Sequence, residues 1–131
     1  VRIKRPDHKN AKSIIEAAEK DLRFTLSLKI TNNSSSTIIR NIYESFRMLG
    51  DAILVLKGIE SQDHLAPINE LLNLNIKTVR SLRTIDNLRR MRHNINYYGY
   101  SPSKEEAEDA ISIVNACFFT ILKKIRKDLE D

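Results

Sequence analysis

Three arginines, one histidine and three tyrosines crowd into the stretch Arg89-Arg90-Met91-Arg92-His93-Asn94-Ile95-Asn96-Tyr97-Tyr98-Gly99-Tyr100. At helical spacing Arg89, His93 and Tyr97 share one side, and Arg92 and Asn96 form the adjacent line. Arginine offers a fork of donors that matches a phosphate, while tyrosine offers a ring for stacking or a hydroxyl for hydrogen bonding. Arg89, Arg90, Arg92, His93, Asn96, Tyr97 and Tyr98 are therefore the candidate residues for holding a phosphate, a nucleotide or RNA. The plainer reading is a solvated basic face whose tyrosines close the core. Asp86 stands where it can pair with Arg89 or Arg90.

The charge is localised. Residues 77–93 carry six of the 22 Lys/Arg (Lys77, Arg80, Arg83, Arg89, Arg90, Arg92) and one of the 17 Asp/Glu, Asp86, which leaves 16 of each elsewhere. The sequence pI of about 9.4 thus describes one positive stripe rather than diffuse basicity. Other chemistry is sparse. His8 lies in the leading segment, and His64 reads as a capping or packing residue at the start of a helix. No histidine pair sits at ligand spacing, so no metal is expected. No glycine-rich phosphate loop or catalytic carboxylate pair is present, and no cofactor is expected. Cys117 is the single cysteine; it excludes an internal disulfide and reads as a packed thiol.

The elements that must position the stretch are helical. Three Gly and three Pro in 131 residues leave little material for the turns of a β fold. Ile14, Ile15, Ala18, Leu22, Leu26 and Ile30 recur at spacings of three and four from Asp7 onward, the mark of an amphipathic helix. The polar run 31–36 breaks it and offers serines to cap the next helix. Ile38, Ile39, Ile42, Phe46, Leu49, Ile53 and Leu56 define a second helix from about Ser36, stopped by Gly58. Residues 61–64 form an N-cap region before a short helix with Pro67 near its start and Leu65, Ile68, Leu71, Leu72 and Leu74 along it, Asn73 and Asn75 standing at its end. A fourth helix is expected from near Ile76 to Gly99, with Val79, Leu82, Ile85 or Asp86, Leu88 and Ile95 inward and the basic stripe outward. Ser103-Lys104-Glu105-Glu106 is a capping box that opens a last helix through Ala107, Val114, Phe118, Leu122 and Ile125. Asp128, Glu130 and Asp131 make a solvated acidic end.

The expectation is a single all-α domain over 1–131, with 1–6 a loose basic lead-in. Its architecture is an antiparallel up-down bundle of four long helices plus one short helix. No apolar run approaches the roughly 18 residues of a membrane span, and a cytoplasmic location is expected.

Three segments carry a family resemblance. Ile42-Tyr43-Glu44-Ser45-Phe46-Arg47 with Ala52-Ile53-Leu54-Val55-Leu56-Lys57-Gly58, the short helix from Ser61 to Leu72, and Arg92-His93-Asn94-Ile95-Asn96-Tyr97-Tyr98-Gly99 resemble the HEPN superfamily. Its members are small helical bundles of prokaryotic toxin–antitoxin pairs and minimal-nucleotidyltransferase systems, and the resemblance covers 10–127. It implies a homodimer, an RNA or nucleotide ligand or a nucleotidyltransferase protein partner, and a groove in which an Arg and, four to six residues later, a His cleave RNA without metal. Arg92 matches that arginine, but Tyr97 stands where the histidine belongs. Arg90, with six intervening residues, also lands on Tyr97, whereas Arg89 to His93 leaves only three. A phenol keeps its proton at neutral pH and is a poor general base there. The implied function is a binding module with a degenerate signature. The alternatives are a metal-independent endoribonuclease using Arg92, His93 and Tyr97, and a purely structural protein-interaction bundle.

Overall fold

A computed structural model describes residues 2–130. The chain is mostly helical, with one two-stranded sheet. Val1 and Asp131, the outermost residues of the lead-in and the acidic end, lie outside the described residues. The lead-in is not loose from residue 2 onward. Strand β1 (Arg2–Ile3) pairs antiparallel with β2 (Ile59–Glu60), and Lys4 bridges Glu60 at 2.9 Å.

Helix α1 (His8–Leu26) starts where the Asp7 carboxylate accepts the Asn10 N–H at 2.9 Å. It stops short of Ile30 because the Ser27 N–H and hydroxyl both turn back onto the Phe24 carbonyl. Its apolar positions Ala11, Ile15, Ala18 and Leu22 are buried against α2 (Ser35–Lys57), the central helix, which also touches every later helix. The serines before α2 do not cap it. Ser34 instead accepts the Thr31 N–H and donates to the Lys29 carbonyl, and buried Ser35 donates to the Thr31 carbonyl. Their hydroxyls are consumed in folding the loop back on itself, which leaves none for the helix end.

Both expected stops hold: Gly58 and Gly99 adopt the left-handed conformation that ends a helix. Gly50 does something different. A Cβ there would lie 2.0 Å from the Pro67 carbonyl oxygen, so only glycine lets α3 (Ala66–Leu72) rest on the middle of α2. The loop before α3 is braced locally, Ser61 accepting the Asp63 N–H and Asp63 accepting the Leu65 N–H.

Helix α4 (Thr84–Tyr98) begins eight residues later than the spacing predicts. Thr78 donates to the Arg80 carbonyl, and Ser81 receives the Arg83 N–H on its hydroxyl and the Thr84 N–H on its carbonyl. These side-chain and short-range bonds compete with a helical ladder over 76–83. Val79, expected inward, is 91% exposed. From there on Ile85, rather than Asp86, takes the inward place, with Leu88 and Ile95 also buried.

Both halves of the capping box form at Ser103 and Glu106, opening α5 (Lys104–Ile113). A π-turn over Val114–Phe118 leads without a break into α6 (Phe119–Glu130). The wider turn shifts the stripe, and Ala116, Cys117 and Phe118 are buried in succession. Phe118 meets Phe46 edge-on at 5.2 Å in the middle of the core; such a pair adds about 1 kcal/mol beyond its buried area. The Cys117 thiol donates to the Arg80 carbonyl at 3.4 Å, and burial pushes its pKa up. No helix among the described residues is long and apolar enough to cross a membrane.

Candidate functional site

The late start of α4 divides the basic run. Lys77, Arg80 and Arg83 lie in the preceding loop, and Arg80 reaches across to Asp109 of α5 at 2.9 Å. Arg89, Arg90 and Arg92 remain on the helix. Arg89 is half-buried and bound through Nε to Asp86 at 2.7 Å; Arg90, on the wetter side, meets the other Asp86 oxygen at 3.2 Å. The Arg89 hydrogen bond holds the Asp86 carboxyl below its ordinary range, and Asp86 in turn pushes the guanidinium pKa up. Arg92 is arranged otherwise. Its guanidinium lies 4.9 Å from the centre of the Tyr43 ring, and among the described residues no carboxylate is within ion-pair distance of it. Only the longer-range field of Arg92 reaches Glu44. A cation over a ring keeps its charge, because the interaction is with a quadrupole and not with a counter-ion.

Between α4, α2 and the loop before α3 lies a cleft of about 300 Å³. It is lined by Tyr43, His64, Leu65, Arg89, Arg92, His93 and Tyr97. The sequence places Arg89, Arg92, His93 and Tyr97 together, and the structure does so too. The His93 ring sits 4.7 Å from that of Tyr97 and 5.6 Å from that of Tyr98. Arg90 and Tyr98 are not in the cleft lining. Asn96 accepts from Arg40 of α2 at 3.4 Å, which adds a cation from a second helix.

Three cleft residues come from elsewhere in the chain. Tyr43 is the buried floor, and His64 and Leu65 form the opposite wall. His64, taken from the sequence as a capping or packing residue, is exposed and shares the cleft with Arg92 and His93. No local signal marks it, since its neighbours read as an ordinary helix start. What brings it there is α3 lying on Gly50.

A second depression of about 560 Å³ shares Tyr43, His64 and Arg92 and continues to Arg47, Asp51 and Asp63. Its own cation is matched. Arg47 is held by both Glu44 and Asp51, so its charge is matched within α2. The Arg47 hydrogen bond lowers the Glu44 pKa, whereas burial raises that of Asp51. The unmatched cation for an anionic ligand is therefore Arg92, where the two depressions meet.

The tyrosines do not close the core. Tyr97 is 67% and Tyr98 76% exposed, standing off the end of α4. Tyr100 is tied down, its hydroxyl donating to Glu106 at 2.7 Å. No cluster of three or more His, Cys, Asp or Glu among the described residues is placed to hold a metal ion. No family model, curated protein or solved structure matches the chain.

Proposed function

We propose that this chain is an HEPN-like binding module that holds RNA or a nucleotide in the Arg89–Arg92 cleft. The observation that carries the reading is Arg92, a guanidinium on the cleft wall with a ring beneath it and no carboxylate partner among the described residues. Two arginines supply the phosphate donors, and His93, Asn96 and Tyr97 complete the polar and aromatic rim. On this reading the long helices alternate up and down around α2 with α3 as the short member. The molecule works as a cytoplasmic homodimer in a prokaryotic system, alongside a nucleotidyltransferase or within a toxin–antitoxin pair. The test is titration of fluorescein-labelled oligouridylate with wild type, Arg89→Glu and Arg92→Glu. Affinity falling with each reversal is the expected outcome; affinity indifferent to both would sink the reading.

One observation favours a second reading, a metal-independent endoribonuclease. His64 enters the cleft beside His93 and Arg92, so the imidazole missing at Tyr97 has two substitutes. One could accept the 2′-hydroxyl proton as that oxygen attacks the neighbouring phosphorus. The other would protonate the departing 5′-oxygen while the arginines hold the phosphate charge. Cleavage in EDTA that drops by about a hundredfold in His64→Ala is expected on this reading. RNA left intact by the wild type rules it out and leaves the binding module.

A further inference from the structure

We infer that the ligand of this cleft is an unpaired strand, its phosphates on Arg89 and Arg92 and its bases against the rings of Tyr97 and Tyr98. The inference rests on the binding reading above and names the kind of nucleic acid it takes.

Two large rings left in water next to a cationic cleft are the starting point. Tyr97 and Tyr98 are 67% and 76% exposed, though each could bury more area than almost any other side chain. Neither hydroxyl is engaged among the described residues, in contrast to Tyr100, which Glu106 holds in place. His93 packs against both rings, so they are steadied on one side and open on the other. Tyr97 belongs to the cleft wall, and Tyr98 follows it toward the end of α4.

Charge sets the direction of the strand. The cleft continues on one side into the depression holding Arg47, Asp51 and Asp63, where Arg47 is already matched and offers a phosphate backbone no free cation beyond Arg92 itself. On the other side stand Arg40, bonded to Asn96 and to no carboxylate among the described residues, and then the two tyrosines. A backbone crossing Arg89 and Arg92 therefore runs toward the rings. A volume of about 300 Å³ is at the lower end of small-ligand sites and suits a single nucleotide. A duplex keeps its bases stacked within and presents no face to an aromatic ring, whereas an unpaired strand does.

The experiment is fluorescence anisotropy with fluorescein-labelled oligouridylate of about 10 nucleotides, a length within the usual site size. The same strand annealed to oligoadenylate serves as the duplex. Wild type, Tyr97→Phe, Tyr97→Ala, Tyr98→Phe, Tyr98→Ala and Arg92→Glu are compared. Both tyrosines are solvent-facing, so these variants leave the core untouched. Phenylalanine is expected to hold wild-type affinity, and each alanine to lose about tenfold, the scale of one base on one ring. The duplex is expected to bind more weakly than the single strand. Alanine variants that bind like wild type, with Arg92→Glu still defective, overturn the inference alone: the cleft then holds phosphate, and the tyrosines belong to a protein partner. Failure of wild type to bind either strand overturns the binding reading as well.

Discussion

On the face made by α1 and α6, Glu19 takes both Arg23 at 2.8 Å and Arg126 at 2.6 Å, and Lys124 takes Asp128 at 3.0 Å. On the face made by α4, Arg92 takes no carboxylate among the described residues and lies over a tyrosine ring. On the first face Arg23, Arg126 and Lys124 are matched, and the other cations of these helices, Lys9, Lys12, Lys20, Lys123 and Lys127, stand on exposed convex surface. The second keeps a cation in a concave place beside two others, where low-dielectric walls strengthen its reach. Matched cations stabilise a surface modestly, and an unmatched cation in a cleft is available to something outside the chain. The location of charge, rather than its amount, separates the two regions.

The largest expected effect comes from removing the device that shapes the second region. Gly50→Leu forces a side chain into the Pro67 carbonyl and pushes α3 off α2. A loss of about 3 kcal/mol is expected, seen as a melting temperature lower by about 10 °C. Circular dichroism at rising temperature measures it, and a melting point within error of wild type would mean that the contact at Gly50 yields easily.

A smaller effect distinguishes the faces directly. Arg92→Glu should weaken oligouridylate binding by about tenfold or more, and its log–log salt slope should fall by about 0.7 for the lost phosphate contact. Arg126→Glu makes the same charge change at a cation already paired with Glu19 and should leave affinity and slope alone. Equal losses from the two would show that net charge alone attracts the strand, and the comparison would collapse.

The smallest effect sharpens the first face. Hydrogen bonds from Arg126 and then Arg23 hold the Glu19 pKa below its ordinary value. A carboxyl with a depressed folded-state pKa contributes stability that is complete above its unfolded pKa of about 4.3 and lost as pH falls through the folded value. Glu19→Gln should therefore cost about 0.5 kcal/mol at neutral pH, the scale of partly exposed pairs, and less at pH 3. Urea denaturation at both pH values reads it. A deficit undiminished in acid would point to packing rather than charge.

Much of the frame was legible from residues alone. The apolar spacing in α2 locates its buried line from Ile38 to Ile53, because a period near 3.6 has one solution when one face must be dry. The Ser103–Glu106 capping box and the stops at Gly58 and Gly99 are local chemistry and behave locally. The start of α4 was not legible, since Ile76, Val79 and Leu82 continue the same spacing while Thr78 and Ser81 fold that segment with side-chain hydrogen bonds. The serines before α2 misled in the same way, because a hydroxyl that can cap a helix can equally close the loop before it.

By itself the sequence determined that the chain is helical, where its dry stripes run, and that Arg89, His93 and Tyr97 share a helix side with Arg92 on the adjacent line. These depend on spacing within one segment and on hydrogen bonds a few residues long. Tertiary structure decided that Tyr43 lies under Arg92, that His64 joins the cleft, and that Arg92 meets no carboxylate among the described residues. The Tyr43 and His64 contacts join segments distant along the chain. They arise only once α3 rests on Gly50 and α4 docks on α2, because packing between helices depends on shapes that no single helix contains.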